Sequence, residues 1–207
     1  MINVIEGVRP GESHMLDEAM RLRHRVFVEE KSWQSLHRAD GRDIDQFDTP
    51  ATVHHVAIVD GEVAGYQRFN ATTGPHLLAD VHGELCDGPF PRGVDIWEWS
   101  RYCVARKYKR DGVFCDVAST LLIATLEWGE PLGIRQFVLE FHPIWITRFL
   151  ELGFDVKPLG LPNDYDGEPT IAVRLGYGES TYQRMLEIRG IHGPVLNVNR
   201  EAIRGLA

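Results

Sequence analysis

Cysteine is scarce in this chain. Cys86, Cys103 and Cys115 are odd in number and form no CxxC pair, which speaks against a disulfide framework or a zinc knuckle and suggests a reducing, cytoplasmic setting. Basic charge is also in short supply. Against 30 acidic residues stand 22 lysines and arginines, for a net charge of −8, so nonspecific affinity for nucleic acid or anionic membranes is not expected. No apolar run is long enough to span a bilayer, and the opening MINVIEGVRPGESHML has no basic region followed by an apolar one, as expected of a soluble, unprocessed protein. The nine histidines include no HxxxH or HExxH pair on an expected helix, and neighbours His54 and His55 would point to opposite faces of a strand, so no metal site is expected.

What remains is an ordinary globular composition. With 207 residues, 43% of them hydrophobic, the chain suits one domain over 1–207 with a sizeable core. Ile2 to Ile5 reads as a strand, and Ser13 as the N-cap of a helix carrying Met15, Ala19, Leu22 and Val26. Residues 31–50 are polar and without period, which predicts a long functional loop. Val53–Val59 and Val63–Phe69 flank Asp60-Gly61, a strong hairpin signal. A strand at 94–104, a helix from Val113 to Trp128, a strand at Gln136–Phe141 and a helix from Pro143 to Leu152 capped by Gly153 follow. Strands near 154–157 and 170–176 and a helix over Ser180–Ile188 complete an α/β sandwich whose mixed sheet carries helices on both faces.

The stretch DIWEWSRYCV places Glu98 and Arg101 within an otherwise buried strand, and YQRF does the same with Arg68. Unpaired buried charge costs several kcal/mol, so these groups should pair with one another or with a charged ligand. A structural ion network pinning the loop to the sheet would satisfy this pattern as well. In a regular strand Arg101 would face away from Glu98 and Ser100, so a bulge or a two-faced site is expected.

RLRHRVFVEEKSW, DIDQFD, YQRF, TTGPHLL and EWSR, in that order, resemble the acyl-homoserine-lactone synthase family, the autoinducer synthases of bacterial quorum sensing. The resemblance is tight over the first half of the chain and looser to Gly153-Phe154. It implies a GCN5-acetyltransferase-like α/β/α sandwich with a mixed, mainly antiparallel central sheet. The implied reaction transfers an acyl group from acyl-carrier protein or coenzyme A to the amine of S-adenosylmethionine. Lactone closure then releases methylthioadenosine, with no tightly bound cofactor or metal.

The family's characteristic positions fall on Arg23, Phe27, Trp33, Asp45, Asp48, Arg68, Glu98, Ser100 and Arg101. Arginine suits a substrate carboxylate, aspartate a cationic amine and sulfonium, and Phe27 and Trp33 an adenosyl group. Glu98 is the candidate general base, with an ion pair to Arg101 or Arg68 as its alternative, and Ser100 a polar lining residue. Ordinary core packing, the commoner fate of such aromatics, is the alternative for Phe27 and a weaker one for Trp33 in its polar loop. Phe137, Phe141 and Trp145 are expected to wall a compact acyl pocket, and Arg106, Lys107, Lys109 and Arg110 to receive the donor's phosphate-bearing arm. His142 reads as a cap or a lining residue. Two rival readings are a GCN5-type N-acetyltransferase, disfavoured by Phe114 in VARKYKRDGVF, and a silent sensor of adenosyl or acyl ligands.

Overall fold

The computed structural model describes residues 1–109, 115–165 and 167–197. Strand β1 (Ile2–Ile5) leads to α1 (His14–His24), where Ser13 Oγ accepts the amide hydrogen of Leu16. The helix then widens into a π-helical turn over Arg25–Glu30 instead of ending. Strands β2 (Val53–Val59) and β3 (Glu62–Ala71) form the expected hairpin. Asp60 and Gly61 take φ of 50° and 80°, the left-handed pair that matches strand twist. A short helix α2 (Leu77–Asp80) precedes β4 (Ile96–Val104), followed by α3 (Asp116–Gly129), β5 (Gln136–Phe141) and α4 (Trp145–Glu151). The chain continues through β6 (Asp155–Pro158), β7 (Asn163–Tyr165), β8 (Glu168–Gly176), α5 (Glu179–Arg189) and β9 (Leu196–Asn197). The expected start of α3 at Val113 lies outside the described residues, as do Arg110 and Phe114.

The sheet runs β6-β8-β5-β4-β3-β2-β1-β9, with β7 paired to β8. Among the described residues only β4–β5 and β1–β9 pair in parallel. Against one face, α1 and the π-helical turn after it pack Leu16, Met20, Leu22 and Val26 on Val56 and Tyr66. Against the other, α3 packs Val117, Leu121 and Trp128 on the main core. Close approach of α3 requires Gly65, where a Cβ would stand 2.8 Å from Val117 Cγ1 and 2.9 Å from Leu121 Cδ1. No helix among the described residues is long and apolar enough to cross a membrane.

Two connections were not visible as periodic segments. The π-helical turn carries Phe27 and leads to Trp33, and the α2 turn covers the last two residues of TTGPHLL and the two after it. Both are short, and both border the same cavity.

Candidate active site

The strand that carries the central residues is irregular where its side chains demanded it. Tyr66 pairs with Cys103 and Arg68 with Ser100, so Arg101 and Tyr102 together oppose Gln67. Arg101 takes φ of 53°, the left-handed conformation of a bulge's first residue. One extra residue resets the alternation: Glu98, Ser100 and Arg101 all border the cavity, while the Tyr102 hydroxyl donates to Ala118 O beneath α3 at 3.0 Å.

Three guanidinium groups and three carboxylates interlock on the α1 side of the sheet. Arg23 donates from Nε to Asp43 at 3.0 Å and from Nη1 to Asp48 at 2.8 Å. Arg68 Nη1 reaches Asp45 at 2.6 Å and Asp48 at 3.1 Å, and its Nε donates to Ser100 Oγ at 3.1 Å. Arg101 donates from Nε to Asp43 and from Nη2 to Asp45, both at 2.9 Å. Burial alone would depress the Arg23 and Arg68 guanidiniums and raise the Asp48 carboxyl, but mutual attraction prevails and holds all three charged. The network balances its own formal charge.

Its members do not all line the cavity. Arg23, Arg68 and Asp48 are buried outside the cavity lining, where Arg68 and Asp48 hold Asp45, which with Arg101 does line it. The 31–50 loop is correspondingly tied to the sheet over Asp43–Asp48. Asp43, 1% exposed and shared by Arg23 and Arg101, stands outside the residues expected from sequence. It lies within DIDQFD, two residues from Asp45, the spacing that puts both carboxylates on one side of an extended segment.

Glu98 is held differently from either expected ion pair. Its oxygens accept the amide hydrogens of Leu77 at 3.1 Å and Leu78 at 2.9 Å, where α2 begins, while Arg68 and Arg101 are engaged by the aspartates. The carboxylate is 2% exposed and borders the cavity. It is thereby oriented while each oxygen keeps a lone pair for a substrate proton.

The cavity exists because β4 and β5 part. They pair only from Ile96↔Gln136 to Glu98↔Val138, and beyond that the gap opens a space of about 710 Å³. On the α1 side it meets Phe27, Trp33, Asp45, Glu98, Arg101 and Glu140; on the α3 side it meets Trp99, Tyr102, Leu122, Phe141, Trp145 and Phe149. Phe27 and Trp33 stack at 5.2 Å and 13°, and the Arg101 guanidinium carbon lies 5.8 Å from the Phe27 ring centre. Glu30, Asp45, Glu98, Glu140 and Glu168 on the lining outnumber Lys31 and Arg101, five acids to two bases. Such a wall favours a cationic ligand.

The aromatic wall differs in part from expectation. Phe141 and Trp145 line it, but Phe137 does not: it is buried in the core, stacked on Tyr177 at 5.6 Å. Trp99, Tyr102 and Phe149 take the place assigned to it, with Phe149 stacked on Phe141 at 5.5 Å. Strand alternation puts Phe137 and Phe141 on one face, but only the point of strand separation decides which of them is uncovered. His142 both borders the cavity and caps a turn, its Nδ1 accepting from Ile144 N at 3.2 Å.

The expected basic cluster lies off the cavity. Lys107 pairs with Glu62, Lys109 with Glu30 at 2.7 Å, and Arg106 is exposed; Arg110 lies outside the described residues.

Comparison with known proteins agrees with this geometry. The family model described as "Autoinducer synthase" matches residues 10–184. The isovaleryl-homoserine lactone synthase of Bradyrhizobium diazoefficiens is 37% identical over 183 residues, covering 87% of this chain and 82% of its own. A solved coenzyme A-dependent acyl-homoserine lactone synthase, BjaI, with S-adenosylmethionine and isopentyl-coenzyme A, superposes with a TM-score of 0.86 at 32% identity, covering 100% and 99% of the two chains. An acyl-coenzyme A N-acyltransferase from Pseudomonas aeruginosa, TM-score 0.59 at 18% identity over 84% of this chain and 97% of its own, shares the fold. The motifs, the sheet that parts over an acidic cavity and the family match along most of its length place this chain in the autoinducer synthase family, as an acyl-homoserine-lactone synthase.

Proposed function

We propose that the protein acylates the α-amine of S-adenosylmethionine with a compact, branched acyl group carried by coenzyme A, then closes the homoserine lactone and releases methylthioadenosine. The observation that carries this reading is the cavity through the parted sheet, acidic on one side and aromatic on the other. S-adenosylmethionine bears two positive charges and one negative, which suits a lining with more carboxylates than cations. Phe27 and Trp33 offer stacked rings to its adenosyl group, and Asp45 and Arg101 offer opposite charges to its ammonium and carboxylate. Arg23, Arg68, Asp43 and Asp48 position that pair.

The amine enters as an ammonium ion and must lose a proton before attack. Glu98, fixed by the Leu77 and Leu78 amides, accepts it directly or through a water. Nitrogen then bonds to the thioester carbon, the carbon–sulfur bond breaks, and the thiolate takes a proton. In the second step a carboxylate oxygen attacks the γ-carbon and the electron pair of the breaking bond stays on sulfur. Ser100, held by Arg68, adds a hydroxyl to the lining beside Glu98 and Arg101.

Trp99, Phe141, Trp145 and Phe149 fill the far side with rings, which favours a short or branched acyl group over a long chain. The isovaleryl product and coenzyme A dependence named for the relatives support the same choice. With five acids on the lining, the phosphates of a coenzyme A or carrier-protein donor belong outside the cavity, where Arg106, Lys107 and Lys109 lie beyond β4. Mass spectrometry of reactions with S-adenosylmethionine and a panel of acyl thioesters tests the reading. Equal amounts of acyl-homoserine lactone and methylthioadenosine, greatest with branched acyl-coenzyme A, are expected. An acetylated amine without methylthioadenosine would instead indicate an ordinary N-acetyltransferase.

A further inference from the structure

Glu98 poses a proton problem that its own surroundings do not solve. The acylation converts an ammonium ion and a thioester into an amide and a thiol, so two protons leave nitrogen, the thiolate takes one, and one must leave the site in every turnover. Glu98 is 2% exposed, tied to two backbone amides and opens only onto the cavity, so with both substrates bound there a proton it accepts has no direct route to bulk water.

A second titratable pair borders the same cavity. Glu140 lies on β5 two residues beyond Val138, the partner of Glu98, which is about 7 Å further along the same face. Its Oε2 is hydrogen-bonded to His82 Nδ1, and its Oε1 is buried without a hydrogen-bond partner. Both residues line the cavity, and the His82 side chain is 24% exposed, which gives the imidazole contact with solvent. The groups facing the pair are Glu84 beyond α2, Tyr165 on β7 with its ring 4.6 Å from the imidazole, Cys86, and Glu98 and Arg101 on β4. Tyr165 is itself hydrogen-bonded to Glu84, so the imidazole is flanked by acids on two sides. Contact with Glu140 and Glu84 outweighs the burial that would lower the imidazole, and its affinity for a proton rises from the ordinary histidine value; burial likewise raises that of Glu140.

We propose that His82 and Glu140 form the exit route for the proton that Glu98 takes from the substrate amine. The O–H bond on Glu98 breaks and one forms at Glu140 Oε1, directly or through a single water. The imidazolium Nε2–H bond then breaks to bulk water, leaving a neutral pair with as many protons as before; rotation of the imidazole and of the Glu140 carboxyl then passes the retained proton from oxygen to the exposed ring nitrogen, which restores carboxylate and imidazolium for the next turnover. No bond to carbon changes and no oxidant is needed. His82 acts here through Glu140 and Glu98, as a positioning and proton-exchange residue that does not touch the reacting atoms.

This inference rests on the function proposed above, and its test separates the two. The turnover of wild-type protein, His82→Gln and Glu140→Gln is followed from pH 6 to 9.5 with saturating S-adenosylmethionine and isovaleryl-coenzyme A, reading methylthioadenosine release. The expected result is a fall in kcat of on the order of tenfold near neutral pH in each variant, with KM for both substrates within about twofold. The limb of the kcat–pH profile that titrates His82 should disappear, and free imidazole should restore part of the rate of His82→Gln. A profile of unchanged shape, or a loss confined to KM, overturns the relay. Should His82→Gln melt below the assay temperature, Glu140→Gln decides by the same pH criterion. Absence of methylthioadenosine from the wild type with every donor defeats the functional reading itself; wild-type product with unaltered variant profiles defeats the relay alone.

Discussion

Glu98 is a carboxylate oriented by two amides and not by a counter-ion, and that distinguishes a group kept free for a proton from one spent on structure. Glu98→Gln retains one acceptor oxygen but sets an NH2 against an amide donor, a cost of about 1 kcal/mol in stability. The larger expected effect is on chemistry: kcat should fall by on the order of a hundredfold with KM for S-adenosylmethionine little changed. Steady-state kinetics beside a melting curve checks this, and wild-type turnover in a folded variant refutes the base role. Asp43 makes the opposite case. Asp43→Asn leaves Arg23 and Arg101 sharing one carboxylate fewer, and removing one partner of a buried pair should cost about 3 kcal/mol in a urea titration. Unchanged stability would mean that Asp48 and Asp45 suffice.

The bulge in β4 is the element on which the site depends. Arginine in the left-handed region is strained, and a β-branched residue there is more so. Arg101→Gly should therefore keep the bulge and lose the guanidinium, whereas Arg101→Val should strain or erase the bulge. Both should lose activity, but the valine variant should be less stable than the glycine variant by about 1 to 2 kcal/mol. Equal denaturation midpoints for the two would show that the strand does not require its left-handed residue. Neighbouring elements frame the same site: β5 parts from β4 after Glu98, ahead of the bulge, and α2 sets its amides against Glu98.

At the scale of the whole molecule, two buried histidines tie stability to pH. Burial first of all pulls His54 down to about 4 and His55 to about 3; nearby Arg23 and Arg68 oppose protonation of His54 while Asp48 favours it. Both stay neutral in the folded protein where the unfolded chain, titrating near 6.5, binds protons. The unfolded state thus takes up more protons below that value, and stability falls as pH drops from about 6.5 toward 4. By pH 5 the loss should be about 2 kcal/mol per histidine. Urea midpoints at pH 7.5 and pH 5 measure it, and His55→Gln should flatten the dependence. A flat wild-type curve over that interval would show that the pair is protonated when folded.

Much of this architecture was legible in one dimension. Local periods yielded the order of the main strands and helices, Asp60-Gly61 announced its hairpin, and the spaced motifs carried the family resemblance, because helix and strand periods and turn chemistry act between near neighbours. Even the irregularity in DIWEWSRYCV followed from the conflict between Arg101 and strand alternation. Other choices belonged to tertiary structure. Phe137 and Phe141 share a face, and only the separation of β4 from β5 covers one and exposes the other. Asp43 looks like one more loop acid until folding brings Arg101 to it across 58 residues, and His82 meets Glu140 across the same separation. Short segments such as the π-helical turn and α2 carry too few residues to show a period. The sequence by itself determined which elements form and what chemistry they carry; the tertiary structure decided which buried charges neutralise one another and which are left facing the cavity, because partners across a sheet are chosen by packing and register that local spacing does not encode.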